Sequence, residues 1–339
     1  MSTSELTRED LAAISPAWWV AAVLTVVLLA VAFAVQPGLF IDQAIGGLVY
    51  GMVLVLVTLG LSLILGLMGI VNFAHGAFFM LGAYLSYSVV VGLGLPFWAA
   101  LVVAPLAVGA VGILVEVTVL RYLYGSDPIV SLLATFGLTL MIEEAIRAYW
   151  GTAPLELQRP EALTTGTDLG VTTVPTYRLF LVGVAVLTIV AVYLLISRTD
   201  FGLTVRAGVQ DGEMTEFVGV NLPIRFTAMF FVGASLAGLA GVLYSAETGM
   251  RTTMGETFVI LAFVVVVVGG VGSLFGSVVS GILIGISAYL TPVVLSAFAE
   301  VLGTPWLALE IRALVPYLVM ILILLFRPRG LFGEEGFLE

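Results

Sequence analysis

Cysteine is absent from all 339 residues, which excludes disulfides, thiolate metal sites and a cysteine nucleophile. Lysine is absent too, so each of the 12 basic residues is an arginine. Without lysine the chain has no Gly-x-x-x-x-Gly-Lys-Ser/Thr phosphate loop. Histidine occurs once, at His75, too few for a multi-histidine metal site. Charge of either sign is scarce: 10% of residues carry it, against about 25% in a soluble domain. The net charge of −10 leaves no basic footprint for nucleic acid. An acidic, lysine-free balance suits a high-salt cytoplasm, where carboxylates hold water and their repulsion is screened. A GC-rich genome that favours arginine codons gives the same composition. His-Glu-x-x-His and Gly-x-Ser-x-Gly are missing as well, so no constellation for metal-assisted or acyl-transfer chemistry is present and an enzyme is not expected.

What the chain has in quantity is apolar residues, 61% of the total, with a mean hydropathy of +1.19. One membrane span needs about 20 of them. Apolar runs separated by polar or Gly/Pro breaks predict ten spans: 17–35, 44–66, 73–92, 97–119, 129–150, 179–197, 224–246, 257–270, 276–294 and 310–326. The fold class expected is all-α, a polytopic transmembrane helical bundle. Residues 1–16 form a polar N-terminus, 17–326 the membrane domain, and 327–339 a polar tail. Two long polar segments, 151–178 and 198–223, interrupt the spans. The acidic start, with Glu5, Glu9 and Asp10 around Arg8, and the long run 17–35 argue for an uncleaved first span over a signal peptide, although Ala32-Phe33-Ala34 resembles a cleavage box.

An even number of spans puts both termini on one side. With the termini inside, the inner arginines are 8, 121, 198, 206, 225, 327 and 329, and the outer ones 147, 159, 178, 251 and 312. The bias is mild but has the sign of the positive-inside rule. It places 198–223 and the tail in the cytoplasm, 151–178 outside, and the chain in the cell membrane as a multi-pass protein.

Ionisable residues inside a span are costly and mark proton or ion coupling. Here Asp42, Glu116, Glu143, Glu144 and Glu247 all fall near span ends, and Glu143 and Arg147 are spaced to pair on one helix face. The energy for any transport must then come from a partner. Small residues recur at helix-packing spacing in three columns: Gly233, Ala237 and Gly241; Ser273, Ser277, Gly281 and Gly285; Gly47 and Gly51. Two Gly-rich breaks share a pattern, 69–76 and 269–276. Duplicated breaks of this kind point to a transport pathway, or simply to two tight turns. Segment 204–217 reads as a short polar helix with Arg206, Gln210, Asp211, Glu213 and Glu216, ending near Gly219 as a C-cap. It fits either a docking element for a soluble partner or a solvated connection. The 151–178 loop, with Pro154, Pro160 and Pro175, reads as a cap over the bundle or a contact for a delivery protein.

Within residues 60–84, Asn72-Phe73-Ala74-His75-Gly76 followed by Gly82-Ala83-Tyr84 strongly resembles the signature of branched-chain amino-acid permeases of ATP-binding-cassette importers, the LivH type. Val205-Arg206-Ala207 through Gly219-Val220-Asn221 resembles the family's coupling loop, and 269–276 a third shared stretch; the last two occur across a wider superfamily that includes sugar and nucleoside importers. The resemblance extends over roughly residues 44–290. It implies a type II-like importer permease that pairs with a second permease, two cytoplasmic ATPases and an external binding protein, in contact with membrane lipid. It implies that ATP is used by the partner, that this chain itself binds no cofactor or metal, and that the substrate is a branched-chain or other hydrophobic amino acid. Urea or a short amide carried by the same machinery, or a self-sufficient facilitator channel, are the alternatives. The substrate path implied is Gly69, Asn72, His75, Gly76, Gly272 and Ser273; the ATPase-coupling residues are Arg206, Asp211, Glu213, Glu216 and Gly219. Met214-Thr215 stand where the family's coupling loop has two alanines.

Overall fold

The computed structural model describes residues 16–333 except 125–126, 169, 171, 305 and 307–309. Most of the polar N-terminus and the last residues of the tail therefore lie outside the described residues. Helices are α1 (Pro16–Val35), α2 (Pro37–Met68), α3 (Ala74–Tyr87, prolonged by a π turn over Ser88–Gly92), α4 (Phe97–Thr118), α5 (Pro128–Trp150), α6 (Thr176–Arg198), α7 (Asp200–Gln210), α8 (Gly212–Phe217), α9 (Leu222–Thr248), α10 (Met254–Gly269), α11 (Leu274–Leu302) and α12 (Val315–Phe326). Between α5 and α6, β1 (Gly166–Asp168) and β2 (Thr173–Pro175) pair antiparallel with Thr167 opposite Val174.

Each of the ten apolar runs is helical over most of its length, the last only from Val315, since 310–314 is not helical. Among the described residues, seven helices are long and apolar enough to cross a membrane: α2, α3 with its π turn, α4, α5, α6, α9 and α11. Helices α10 and α12 are shorter, and the part of α1 whose side chains are described, Thr25–Val35, is apolar as well. The ends follow local chemistry more than hydropathy. Proline at the first position starts α2 at 37, well before the apolar run, and Gly69, at φ 67°, closes it. Gly303, at φ 66°, ends α11 later than hydropathy alone places it.

In the most apolar window of α2, 83% of residues are buried, against 28% in α5 and 22% in α6, so α2 is a central post and α5 and α6 lie outside. The contacts repeat. Helix α2 lies along α11 as α9 lies along α4; α3 packs on α9 as α10 packs on α2; α3 meets α4 and α5 as α10 meets α11 and α12. The set α2–α5 thus recurs as α9–α12. The start of α2 and the end of α9 share one end of the bundle, where Asp42 and Glu247 both bind Arg178, so the two sets run in opposite senses. This is the inverted-repeat organisation of many transporters.

Glycine sets the closest crossing. The two columns Gly47/Gly51 and Gly281/Gly285 meet face to face. A Cβ on Gly47 would stand 2.8 Å from the Gly285 carbonyl oxygen, and one on Gly51 2.9 Å from that of Gly281. Backbone-to-backbone approach of this kind supplies the dispersion contacts that hold helices together where there is no water to exclude.

Candidate functional site

The polar segment after α6 is built from two helices, and this corrects the single helix expected over 204–217. Thr199 caps α7, its hydroxyl accepting from the Gly202 amide at 3.3 Å. At Asp211 the backbone is extended (φ −152°, ψ 93°) and the carboxylate accepts from the Met214 amide at 2.9 Å, starting α8 anew. An aspartate followed by glycine competes with helix continuation in this way. Val218 closes α8, and Gly219 follows at φ 90° with its amide donating to Glu216. Helix α7 packs on α6 and α9, burying Val205, and the Arg206 guanidinium donates to the Ile196 carbonyl at the foot of α6. Helix α8 does the opposite. Its Thr215 is buried, while Glu213, Met214, Glu216, Phe217 and Val218 are exposed, Phe217 at 84%. An apolar tip ringed by carboxylates thus projects from one end of the bundle.

The break between α2 and α3 reaches into the bundle. The His75 Nε2 lies 2.9 Å from the Val57 carbonyl, eleven residues before the end of α2, a distance of about 16 Å along a helix. Residues 69–73 therefore turn back alongside α2, and α3 starts at the level of its middle. Non-helical backbone at that depth needs partners. Thr135 on α5 supplies them: its hydroxyl accepts from the Phe73 amide at 3.1 Å and stands 3.1 Å from the Val71 carbonyl. Nε2 faces a carbonyl, so it carries the ring proton. Asn72 and His75 are both 0% exposed, and the Asn72 amide and His75 Nδ1 have no hydrogen-bond partner among the described residues. Gly76 faces the Gly255 backbone, where a side chain would collide.

The path residues expected from sequence do not form one surface. Gly272 and Ser273 line a crevice of about 570 Å³ between α2, α6, α7 and α11, whose walls also include Leu59, Ser62, Tyr193 and Arg206. Gly69, Asn72, His75 and Gly76 are not among its lining residues. The second break contacts α2 instead: Gly272 sits against Gly66, and Ser273 caps α11 through the Gly276 amide at 3.0 Å. Of the residues expected to couple, Arg206 reaches the crevice, whereas Asp211, Glu213, Glu216 and Gly219 stand on the exposed tip.

Ionisable groups gather at the two ends. At the end carrying α8, the buried Glu116 receives the Arg121 guanidinium at 3.1 Å, the Thr227 hydroxyl at 2.7 Å and the Tyr124 hydroxyl at 2.7 Å, tying α4 to α9. Burial first, and then this hydrogen bond, pushes the Tyr124 phenol up from its ordinary value. At the other end Arg178 bridges Asp42 (3.1 Å) and Glu247 (2.8 Å). Arg159 pairs with the second Glu247 oxygen at 3.0 Å and donates to the Ala246 and Glu247 carbonyls, while Leu155 and Met250 exchange backbone bonds. The 151–178 loop is therefore tied to the bundle through Leu155, Arg159 and Arg178. Glu143 and Arg147 approach at 3.8 Å, with Glu144 on the same arginine at 3.5 Å. Sequence reasoning missed Thr135 and Thr227. A hydroxyl in an apolar run is the only signal either gives.

Comparison with known proteins follows the same outline. Residues 43–324 match the family model described as branched-chain amino acid transport system / permease component. The permease protein BraD of the high-affinity branched-chain amino acid transport system of Pseudomonas aeruginosa is 27% identical over 307 residues, 87% of this chain and 96% of that protein. A probable branched-chain amino acid transport permease LivH of Methanocaldococcus jannaschii is 27% identical over 301 residues, covering 86% of this chain and 91% of the relative. The permease LivM of Escherichia coli is 30% identical over 261 residues, 70% of this chain and 61% of LivM. No solved structure matches.

Proposed function

The chain belongs to the branched-chain amino acid transport system permease family, and from that premise we propose that it forms the transmembrane path for branched-chain or other hydrophobic amino acids in an ATP-driven importer. The observation that carries this reading is the pairing of a family match over residues 43–324 with a projecting α8, an exposed apolar tip on an otherwise membrane-suited bundle. Exposed patches rimmed by charge mark protein contacts. One of two cytoplasmic ATPases docks there, ATP is bound by them, and their closure moves α7 and α8 together through Asp211 and Gly219. Arg206 passes that movement to the foot of α6. The differential contact of α8 with open and closed ATPases supplies the bias between two bundle arrangements. A second permease completes the path, and LivM-like similarity within the family is consistent with a related but different chain in that place. An external binding protein delivers the solute to the end capped by 151–178, so α7, α8 and both termini face the cytoplasm of a cell-membrane protein. The re-entrant 69–73 segment, Asn72 and His75 line or hold the path, whereas Gly272 and Ser273 belong to the separate crevice between α2, α6, α7 and α11.

Uptake of radiolabelled leucine by cells carrying the complete importer tests the reading. Removing the partner ATPase should abolish uptake, and proteoliposomes holding this chain alone should be silent. Full uptake without the ATPase would overturn the proposal in favour of a self-sufficient facilitator. Uptake of urea but not leucine by the complete importer would overturn the substrate class alone.

A further inference from the structure

The crevice between α2, α6, α7 and α11 is graded along its length. Ser197, Arg206 and Ser273 stand at the end nearest α8; Leu59, Ile189 and Val278 stand farther into the bundle on α2, α6 and α11. From Ile189 to Ser197 the wall rises about 12 Å along α6. Its mouth opens sideways: Val190, Tyr193 and Phe275, which line it, are 49%, 59% and 65% exposed on the flank of the bundle. That flank belongs to α6, among the least buried of the long helices. Midway along the wall, Ser62 is buried and its hydroxyl has no hydrogen-bond partner among the described residues. Arg206 uses one guanidinium nitrogen on the Ile196 carbonyl and has others to offer.

We propose that this crevice is a binding site for a membrane phospholipid of the leaflet next to α7 and α8, with an anionic headgroup on Arg206 and one acyl chain lying along Leu59, Ile189 and Val278. A lateral opening in a membrane-spanning bundle is filled by the solvent it faces, which is lipid. The polar-to-apolar gradient runs the way a lipid of that leaflet is oriented, and the Ser62 hydroxyl stands where an ester carbonyl can accept its hydrogen. A zwitterionic amino acid fits less well, because no side chain in the wall is an anion for its ammonium group. The occupied crevice contacts α7 through Arg206 and the start of α11 through Ser273, so lipid occupancy stiffens the base on which the α7–α8 segment moves. The inference concerns lipid, not solute, and does not depend on which substrate the importer carries.

The full-length chain, purified from nanodiscs of phosphatidylglycerol and phosphatidylcholine, is examined by native mass spectrometry. The wild type should retain one phospholipid, with about a fivefold preference for phosphatidylglycerol from one arginine contact. Arg206→Gln should lose the preference and keep the lipid; Val278→Trp, which fills the apolar part, should lose the lipid. As a check that does not depend on any variant folding, phosphatidylglycerol bearing a photoreactive group near the end of one acyl chain should label 189–197 or 274–278 of the wild-type chain. Labelling confined to other segments, equal lipid retention by a folded Val278→Trp, or leucine displacing the photoprobe would overturn the proposal.

Discussion

Asp211 shows how one residue carries two roles that sequence alone merges. As an acidic group in a polar segment it fits a docking surface, and as the residue before Gly212 it stops one helix and starts another. The two roles separate on substitution. Asp211→Ala removes the carboxylate that accepts from the Met214 amide, an N-cap worth about 1 kcal/mol; amide exchange at Met214 should accelerate about fivefold. Asp211→Asn keeps the cap, because asparagine accepts the same bond, and exchange should stay at the wild-type rate. Hydrogen–deuterium exchange on the purified chain checks both, and equal acceleration in the two variants would show that charge, not capping, holds α8. The residues of this segment were legible as a group from charge and spacing. The break within it was not, since an aspartate can cap a new helix or sit exposed on a continuous one, and only the backbone at Asp211 decides which. Thr135 was illegible for a related reason: its hydroxyl has a role only because the 69–73 backbone turns back against it.

Among the elements, the glycine columns were the most readable feature, because spacing of three or four in an apolar run implies close packing whichever partner it meets. Which columns meet required the structure. Gly285 faces the Gly51 and Gly47 backbones, so a leucine there has no space without separating α2 from α11. Gly285→Leu should remove the monodisperse peak from fluorescence-detected size-exclusion chromatography. Gly183 in α6 gives the contrast, since a Cβ there meets nothing within 4 Å. Gly183→Ala should leave the peak intact and raise thermal stability by up to about 1 kcal/mol, the backbone entropy that glycine costs a helix. Loss of the peak in both variants would mean that α6 is packed against something on that face. Helix ends were less readable than helix cores. Hydropathy locates oily runs, whereas caps such as Pro37 and Gly303 set where the backbone stops, and a helix such as α2 extends beyond its oily part.

For the whole molecule, all-α architecture and ten apolar helices followed from composition, but their symmetry did not. Likeness of the Gly-rich stretches pairs 69–76 with 269–276. The contacts instead pair the α2–α3 break with the α9–α10 break over 249–253, because α2–α5 and α9–α12 are the repeating sets. Glycines at a break record local backbone approach, such as Gly66 on Gly272, and carry no memory of which repeat they occupy. An inverted pair of repeats fixes which ends lie together: the 151–178 cap sits with the start of α2 and the end of α9, and α8 projects from the opposite end, beyond Glu116 and Arg121. The absence of native cysteine makes that separation directly measurable. A single cysteine at Glu161→Cys should react with a membrane-impermeant maleimide added to intact cells, whereas Glu213→Cys should react only after the membrane is permeabilised. Both positions are exposed on the chain itself, and labelling in cells that lack the partner ATPase keeps Glu213→Cys uncovered, so neither result reflects burial. Labelling of Glu213→Cys alone in intact cells would invert the orientation and place the proposed docking tip outside, where no ATPase could reach it; labelling of both in intact cells would put the two ends on one side and dissolve the spanning bundle itself.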